Sequence, residues 1–148
     1  MNTQLRLGLA AAIALSLAPA VSSGAFAQGR PPTSAQPEKN FPFDASWTLL
    51  QAGGKQASGY RITLKVDSNL RGTGFSGCNN FSAAAYPLRQ QGFAVGPIAV
   101  TKKACDSGAM GFERSFLLAL RSAKQWDLVQ GRLVLKTGQG DLTFERGI

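Results

Sequence analysis

Cys78 and Cys105 are the only thiols in the chain and its best candidates for covalent chemistry. Lys102 and Lys103 stand just before Cys105, and a helix opening beside it would add its dipole to theirs in lowering a thiol pKa. A thiolate nucleophile of this kind is normally served by a histidine, and the chain contains none. That single absence removes the Ser-His-Asp triad, the Cys-His dyad, His-ligated zinc and the imidazole general base. Catalysis would have to run on Cys, Asp, Glu, Lys or Tyr, and no CxxC spacing supports a redox pair. No cofactor or metal site is expected.

A second motif is Gly72-Thr73-Gly74-Phe75-Ser76-Gly77, which matches the dinucleotide fingerprint G-x-G-x-x-G. The fingerprint works only where a helix opens directly after it and an acidic residue follows about 20 positions on. Here Cys78-Asn79-Asn80-Phe81 and an Ala-rich extended stretch follow, with no Asp or Glu between Asp67 and Asp106. The run is read instead as a bent strand end and tight loop, where glycine admits positive φ or a close backbone approach. Asn80-Phe81-Ser82 is a formal glycosylation sequon, but Asn79 and Asn80 are read as loop formers.

These residues must be positioned by short strands. Tyr60, Ile62, Leu64 and Val66 alternate with polar neighbours, a period of two that predicts a strand over 60–67 with one buried face. Strands are also expected over 47–51 and 70–75, completing a meander, and over 81–88 and 93–100, with Pro87 and Pro97 at ends or edges. Between Asp106 and Ala123 the period changes. Phe112, Phe116, Leu120 and Ala123 recur at four, four and three, one stripe of a helix, with Asp106 or Ser107 as N-cap. Arg114, Arg121 and Lys124 add a basic strip, read as a solvated face. Strands at 126–129, 132–136 and 142–146 form a second meander joined at Gln130-Gly131 and Thr137–Gly140. The fold class is therefore α+β: an antiparallel sheet or partly closed barrel of short strands with one covering helix.

The chain has 148 residues, 44% hydrophobic and 16% charged, enough for one small domain with its own core. Its start is read as a signal peptide over 1–27: Arg6, an apolar run from Leu7 to Ala18, Pro19, and Ala25-Phe26-Ala27 before cleavage at Gln28. The run is shorter than the roughly 20 residues of a spanning helix, so no transmembrane anchor is expected after cleavage. No Cys follows it, so no lipid anchor is expected either. Residues 28–40 hold three prolines and no apolar side chain larger than Ala, which reads as a flexible linker, and 41–148 supply the domain. The destination is a periplasmic or secreted one, where a disulfide between Cys78 and Cys105 is the default and a reactive thiol the competing reading. The formal charge is +8, and removing Arg6 with the leader leaves fifteen basic against eight acidic residues, +7. Export argues against nucleic acid as the partner. Anionic envelope components suit the charge better.

The run Gly74-Phe75-Ser76-Gly77-Cys78-Asn79-Asn80-Phe81, with Tyr86, Thr101-Lys102-Lys103-Ala104-Cys105 and Glu113 with Phe116 and Leu120, resembles the META domain family and its HslJ-type heat-shock proteins. Trp47-Thr48-Leu49 is similar to the family's opening W-x-L strand, Gly131 to Leu135 to its G-x-x-L-x-L hairpin, and Leu142-Thr143-Phe144 to its closing strand. The sequence departs from the pattern at Ala83–Ala85, at Lys103 in place of a common Met, and in lacking a lipid-attachment Cys. The resemblance implies a β-rich envelope domain with one helix, associated with heat or envelope stress, and no catalytic residues. The expected function is non-enzymatic binding of envelope components or polypeptides. An inhibitor or accessory protein docking onto a periplasmic or secreted enzyme is the alternative. The candidate binding loop comprises Gly77, Cys78, Asn79, Asn80, Phe81, Thr101, Lys102 and Lys103.

Overall fold

The first strand already shows how the chain builds its interior. In β1 (Ser46–Ala52) Trp47 and Leu49 are buried while Ser46 and Thr48 face outward. A computed structural model describes residues 37–147. After β1 come β2 (Lys55–Gln56), β3 (Thr63–Val66), β4 (Arg71–Phe75), β5 (Asn80–Pro87), β6 (Phe93–Val95), β7 (Ala99–Val100), α1 (Ser107–Arg121), β8 (Gln125–Val129), β9 (Arg132–Lys136) and β10 (Leu142–Arg146). The strands form one antiparallel sheet in the order β6-β5-β4-β3-β1-β10-β9-β8, with β2 added to β1 and β7 to β5. The sheet curls until its ends nearly meet: Phe93 N–H donates to Lys124 O at 2.8 Å, and Gly92 bridges Gln125. The result is the nearly closed barrel with one helix that the pattern implied.

The first and last strands, β1 and β10, lie side by side, Trp47 opposite Arg146 and Ala52 opposite Leu142, with a bulge between Leu49 and Gln51. Leu133, Leu135, Leu142 and Phe144 fill the interior from β9 and β10. Gln130 and Gly131 both take positive φ, +50° and +76°, the two-residue turn whose twist matches a hairpin. Helix α1 is capped by Asp106, whose carboxylate accepts from Ala109 N–H at 2.9 Å. Its buried stripe is Ala109, Phe116, Ala119 and Leu120, the last three packing into the same core, with the Phe116 ring 5.8 Å from that of Phe81.

Three expectations change. The strand over 60–67 starts only at Thr63: Ser58–Tyr60 form a 3-10 turn and Arg61 is left-handed at φ +50°, a bend that brings the Tyr60 ring to 4.3 Å from Phe112. The strand over 93–100 is two strands, because Gly96, Pro97 and Ile98 face only Ala83 and Ala84 across the pairing, a bulge at the residue that has no N–H to give. Leu70, expected as a strand start, has φ +63° and closes an Asx turn in which Asp67 Oδ1 accepts from Asn69 and Arg71 N–H.

The signal-peptide reading falls on 1–27, outside the described residues, as do linker residues 28–36. Pro37–Asn40 have no regular structure, yet they are held. Glu38 accepts from Gln90 N–H at 2.8 Å, and the Lys39 ammonium reaches Asp127 at 2.5 Å, holding that carboxyl below its ordinary value. Phe41 then seats edge-on against Trp126.

Candidate functional site: a polar knot and a cationic groove

Two glycines shape the loop between β4 and β5. A Cβ on Gly74 would lie 2.0 Å from the Thr63 carbonyl oxygen, so only glycine lets β4 approach β3 there. Gly77 sits at φ +104°, turning the chain so that Cys78 and Asn79 point inward. Cys78 is joined to Cys105, with their Cα atoms 6.0 Å apart. The disulfide ties this loop to the segment entering α1, and no free cysteine remains among the described residues.

Asn79 is the node of the loop. It is 4% exposed, and every polar group it carries is engaged. Its Oδ1 accepts from the Thr101 hydroxyl at 2.8 Å and from Lys103 N–H at 2.7 Å. Its Nδ2 donates to Glu113 Oε1 at 2.9 Å and to Lys103 O at 3.4 Å, its backbone N–H donates to Glu113 Oε2 at 2.8 Å, and its carbonyl accepts from Ser76 N–H at 2.8 Å. The fully buried Ser76 hydroxyl donates to Glu113 Oε2. Burial pushes the Glu113 carboxyl up, but the hydrogen bonds from Ser76, from the Asn79 side chain and from the Asn79 and Cys78 backbone outweigh it and hold the pKa below its ordinary 4.5. Glu113 is thus kept ionised, the reverse of the raised pKa that a carboxylic general acid requires near neutral pH. The chemistry of this arrangement is structural: it locks a loop, the Thr101–Lys103 segment and α1 to one another.

The expected binding loop therefore divides. Gly77, Cys78, Asn79 and Thr101 come together in the knot. Asn80 begins β5, where its N–H donates to the Thr101 hydroxyl at 3.2 Å, and Phe81 belongs to the core. Lys103 takes part through its backbone alone, and the side chains of Lys102 and Lys103 are exposed with no ion pair among the described residues. The nearest concavity to the loop is a shallow one of about 290 Å³ along Asn80–Ser82 and Ala99–Thr101.

Ser76 and Glu113 stood among the residues of the family resemblance but outside the expected binding loop. The signal for Glu113 was its phase. It lies four residues after Ala109 and three before Phe116, on the buried stripe of α1, where a carboxylate must find donors.

A larger concavity lies on another face of α1. Between the helix and the β6–β7 segment runs an open groove of about 800 Å³, floored by Ile98, Val100, Leu117 and Leu118 and rimmed by Arg114 and Arg121. No acidic residue lines it, and neither arginine has an ion pair among the described residues. Leu118 is 58% exposed. Arg114 and Arg121 of the basic strip, though exposed, thus border an open apolar groove, and Lys124 does not line it.

The model of the META domain family matches residues 40–146, nearly all of the described chain. The chain belongs to the META domain family. Two structures solved by NMR share its fold. A protein from Burkholderia xenovorans is 26% identical with a TM-score of 0.58, covering 80% of this chain and 97% of its own. A second is 20% identical with a TM-score of 0.57, covering 68% of this chain and 87% of its own, a likeness of fold alone. No curated protein matches. In this META domain the G-C-N run and the T-x-x-A-C run meet through the disulfide and the Asn79 node, which accounts for their occurring as a set.

Proposed function

We propose that this META domain protein is exported and supports tolerance of heat and envelope stress by binding an envelope component or an unfolded polypeptide, without catalysing a reaction. The observation that carries the reading is the groove, an exposed apolar surface bordered by two cations that have no partner among the described residues. The Cys78–Cys105 bond suits an oxidising compartment beyond the cytoplasm. Ser76, Asn79, Thr101 and Glu113 are engaged with one another, whereas the groove presents uncovered apolar side chains.

Deleting the gene tests this directly. The mutant should lose viability under heat, detergent and hydrophobic antibiotics and regain it when the full-length gene is restored. Unchanged sensitivity to all three would overturn the reading.

A further inference from the structure

We propose that the groove beside α1 seats one anionic phospholipid at a membrane surface, with an acyl chain along Ile98, Val100, Leu117 and Leu118 and the phosphate held by Arg114 and Arg121. The proposal deepens the binding function proposed above and rests on it. It identifies the ligand class from the distribution of polar groups in the groove.

The floor is aliphatic, and the one hydroxyl in its lining, on Ser115, lies within hydrogen-bond reach of its own helix's Gly111 carbonyl at 3.1 Å. A polypeptide lying there would bring amide N–H and C=O groups against side chains that offer them no partners, and each unsatisfied group costs free energy. A hydrocarbon chain brings none. The groove's charged donors are the two guanidiniums, both at the rim and seven residues apart on α1, about 10 Å along the axis at 1.5 Å per residue. That separation is within the span of two long side chains closing on a single headgroup. Guanidinium is the side-chain group best matched to phosphate oxygens, which it binds in paired hydrogen bonds. A ligand apolar along its length and anionic at one end fits both halves of the site.

Charge complementarity reinforces the choice. No carboxylate lines the groove to repel a phosphate, and both charged side chains that do line it are cations. The volume of about 800 Å³ falls in the range of about 300–1,000 Å³ common to small-molecule sites, and its openness along the side fits a ligand that stays partly in a bilayer. Leu118 lines the groove and is more than half exposed, so that side of the floor is open to the acyl layer.

The protein is purified after export from cells expressing the full-length gene and sedimented with vesicles of phosphatidylglycerol mixed with phosphatidylcholine, and with vesicles of phosphatidylcholine alone. Binding is expected to the mixed vesicles only. R114E/R121E should weaken it by about tenfold or more, because two charge-assisted contacts are replaced by repulsion. L118S should weaken it with no loss of folded signal. K65E/R132E, which changes the net charge equally on exposed strand positions away from the groove, should leave binding within about twofold. An equal loss in both charge variants means diffuse attraction and overturns the site, as does equal binding to both vesicle types. Binding to a reduced, carboxymethylated polypeptide with none to vesicles overturns it in favour of a protein ligand. The two proposals fail separately. If R114E/R121E restores stress tolerance to the deletion strain as fully as the natural gene, the lipid site falls and the stress role stands. If deletion has no phenotype, the stress role falls whatever the vesicles show.

Discussion

The knot around Asn79 and the groove beside α1 use opposite strategies within one small barrel. In the knot, buried polar groups from three segments satisfy one another, and a disulfide closes the loop that carries them. In the groove, aliphatic side chains stay uncovered and two arginines face solvent. The residues that make the family pattern recognisable are concentrated in the knot, where exchanging any one leaves its partners buried and unsatisfied. The residues that meet solvent as a continuous apolar surface carry no such signature. The knot and the groove lie on different faces of the same helix, with Glu113 turned to one and Arg114 to the other.

This division can be broken most severely at Asn79. N79D replaces the amide that donates to Glu113 with a second carboxylate, so two like charges face each other in a buried site that keeps their shared donors. The cost should be about 3–5 kcal/mol, read as a fall in the urea midpoint. Removing the disulfide as C78A/C105A comes next. The bond closes a loop of 28 residues, from a separation of 27, and the chain-entropy relation gives roughly 3.5 kcal/mol, again measured by urea unfolding.

E113Q should cost about 2 kcal/mol at neutral pH, since hydrogen bonds to a charged acceptor become bonds to a neutral one and one oxygen becomes a donor. It also separates the two regions by pH. Because the Glu113 carboxyl ionises more readily folded than unfolded, its contribution is complete above the ordinary value of 4.5 and is lost as pH falls through the lower folded value. Thermal melts in increasingly acid buffer should show the natural protein losing more stability than E113Q. Parallel losses would mean that Glu113 is not held as described. The smallest effect belongs to the groove: R114E/R121E should change stability by about 0.5 kcal/mol or less, because both side chains are exposed and unpaired. A loss near that of E113Q would join the two regions into one.

Sequence patterns made the barrel's frame legible wherever one local rule governed. Trp47 and Leu49 stand on either side of Thr48, Leu64 and Val66 on either side of Lys65, and Asp106 precedes the helical period as a cap should. The patterns misled where a non-glycine residue goes left-handed, at Arg61 and Leu70, because nothing in those side chain types announces it. The break at Gly96–Ile98 was half visible in Pro97, but its offset against Ala83 and Ala84 depends on the pairing partner. The pairing of Cys78 with Cys105 was the default expected of two cysteines in a chain read as exported, and the structure shows it. Ser76, Asn79, Thr101 and Glu113 were all legible as motif residues, yet that Glu113 meets Ser76, 37 positions earlier, in one node is a proximity that only the folded chain creates. The groove was least legible of all. Its arginines read as an ordinary wet helix face until the β6–β7 bulge was placed beside them.

The pairing of β1 with β10 also bears on when this chain can fold. The strand that opens the domain has as one neighbour the strand that closes it, so part of the interior around Trp47 and Leu49 waits for Leu142 and Phe144. During synthesis a nascent chain stopped anywhere before residue 142 lacks the piece that joins its two meanders. In such a chain Trp47 and Leu49 keep β3 as a neighbour but lack the strand that covers their other side. The order of strands thus makes the seam between the two meanders the longest-range contact of the barrel, joining the domain's first strand to its last.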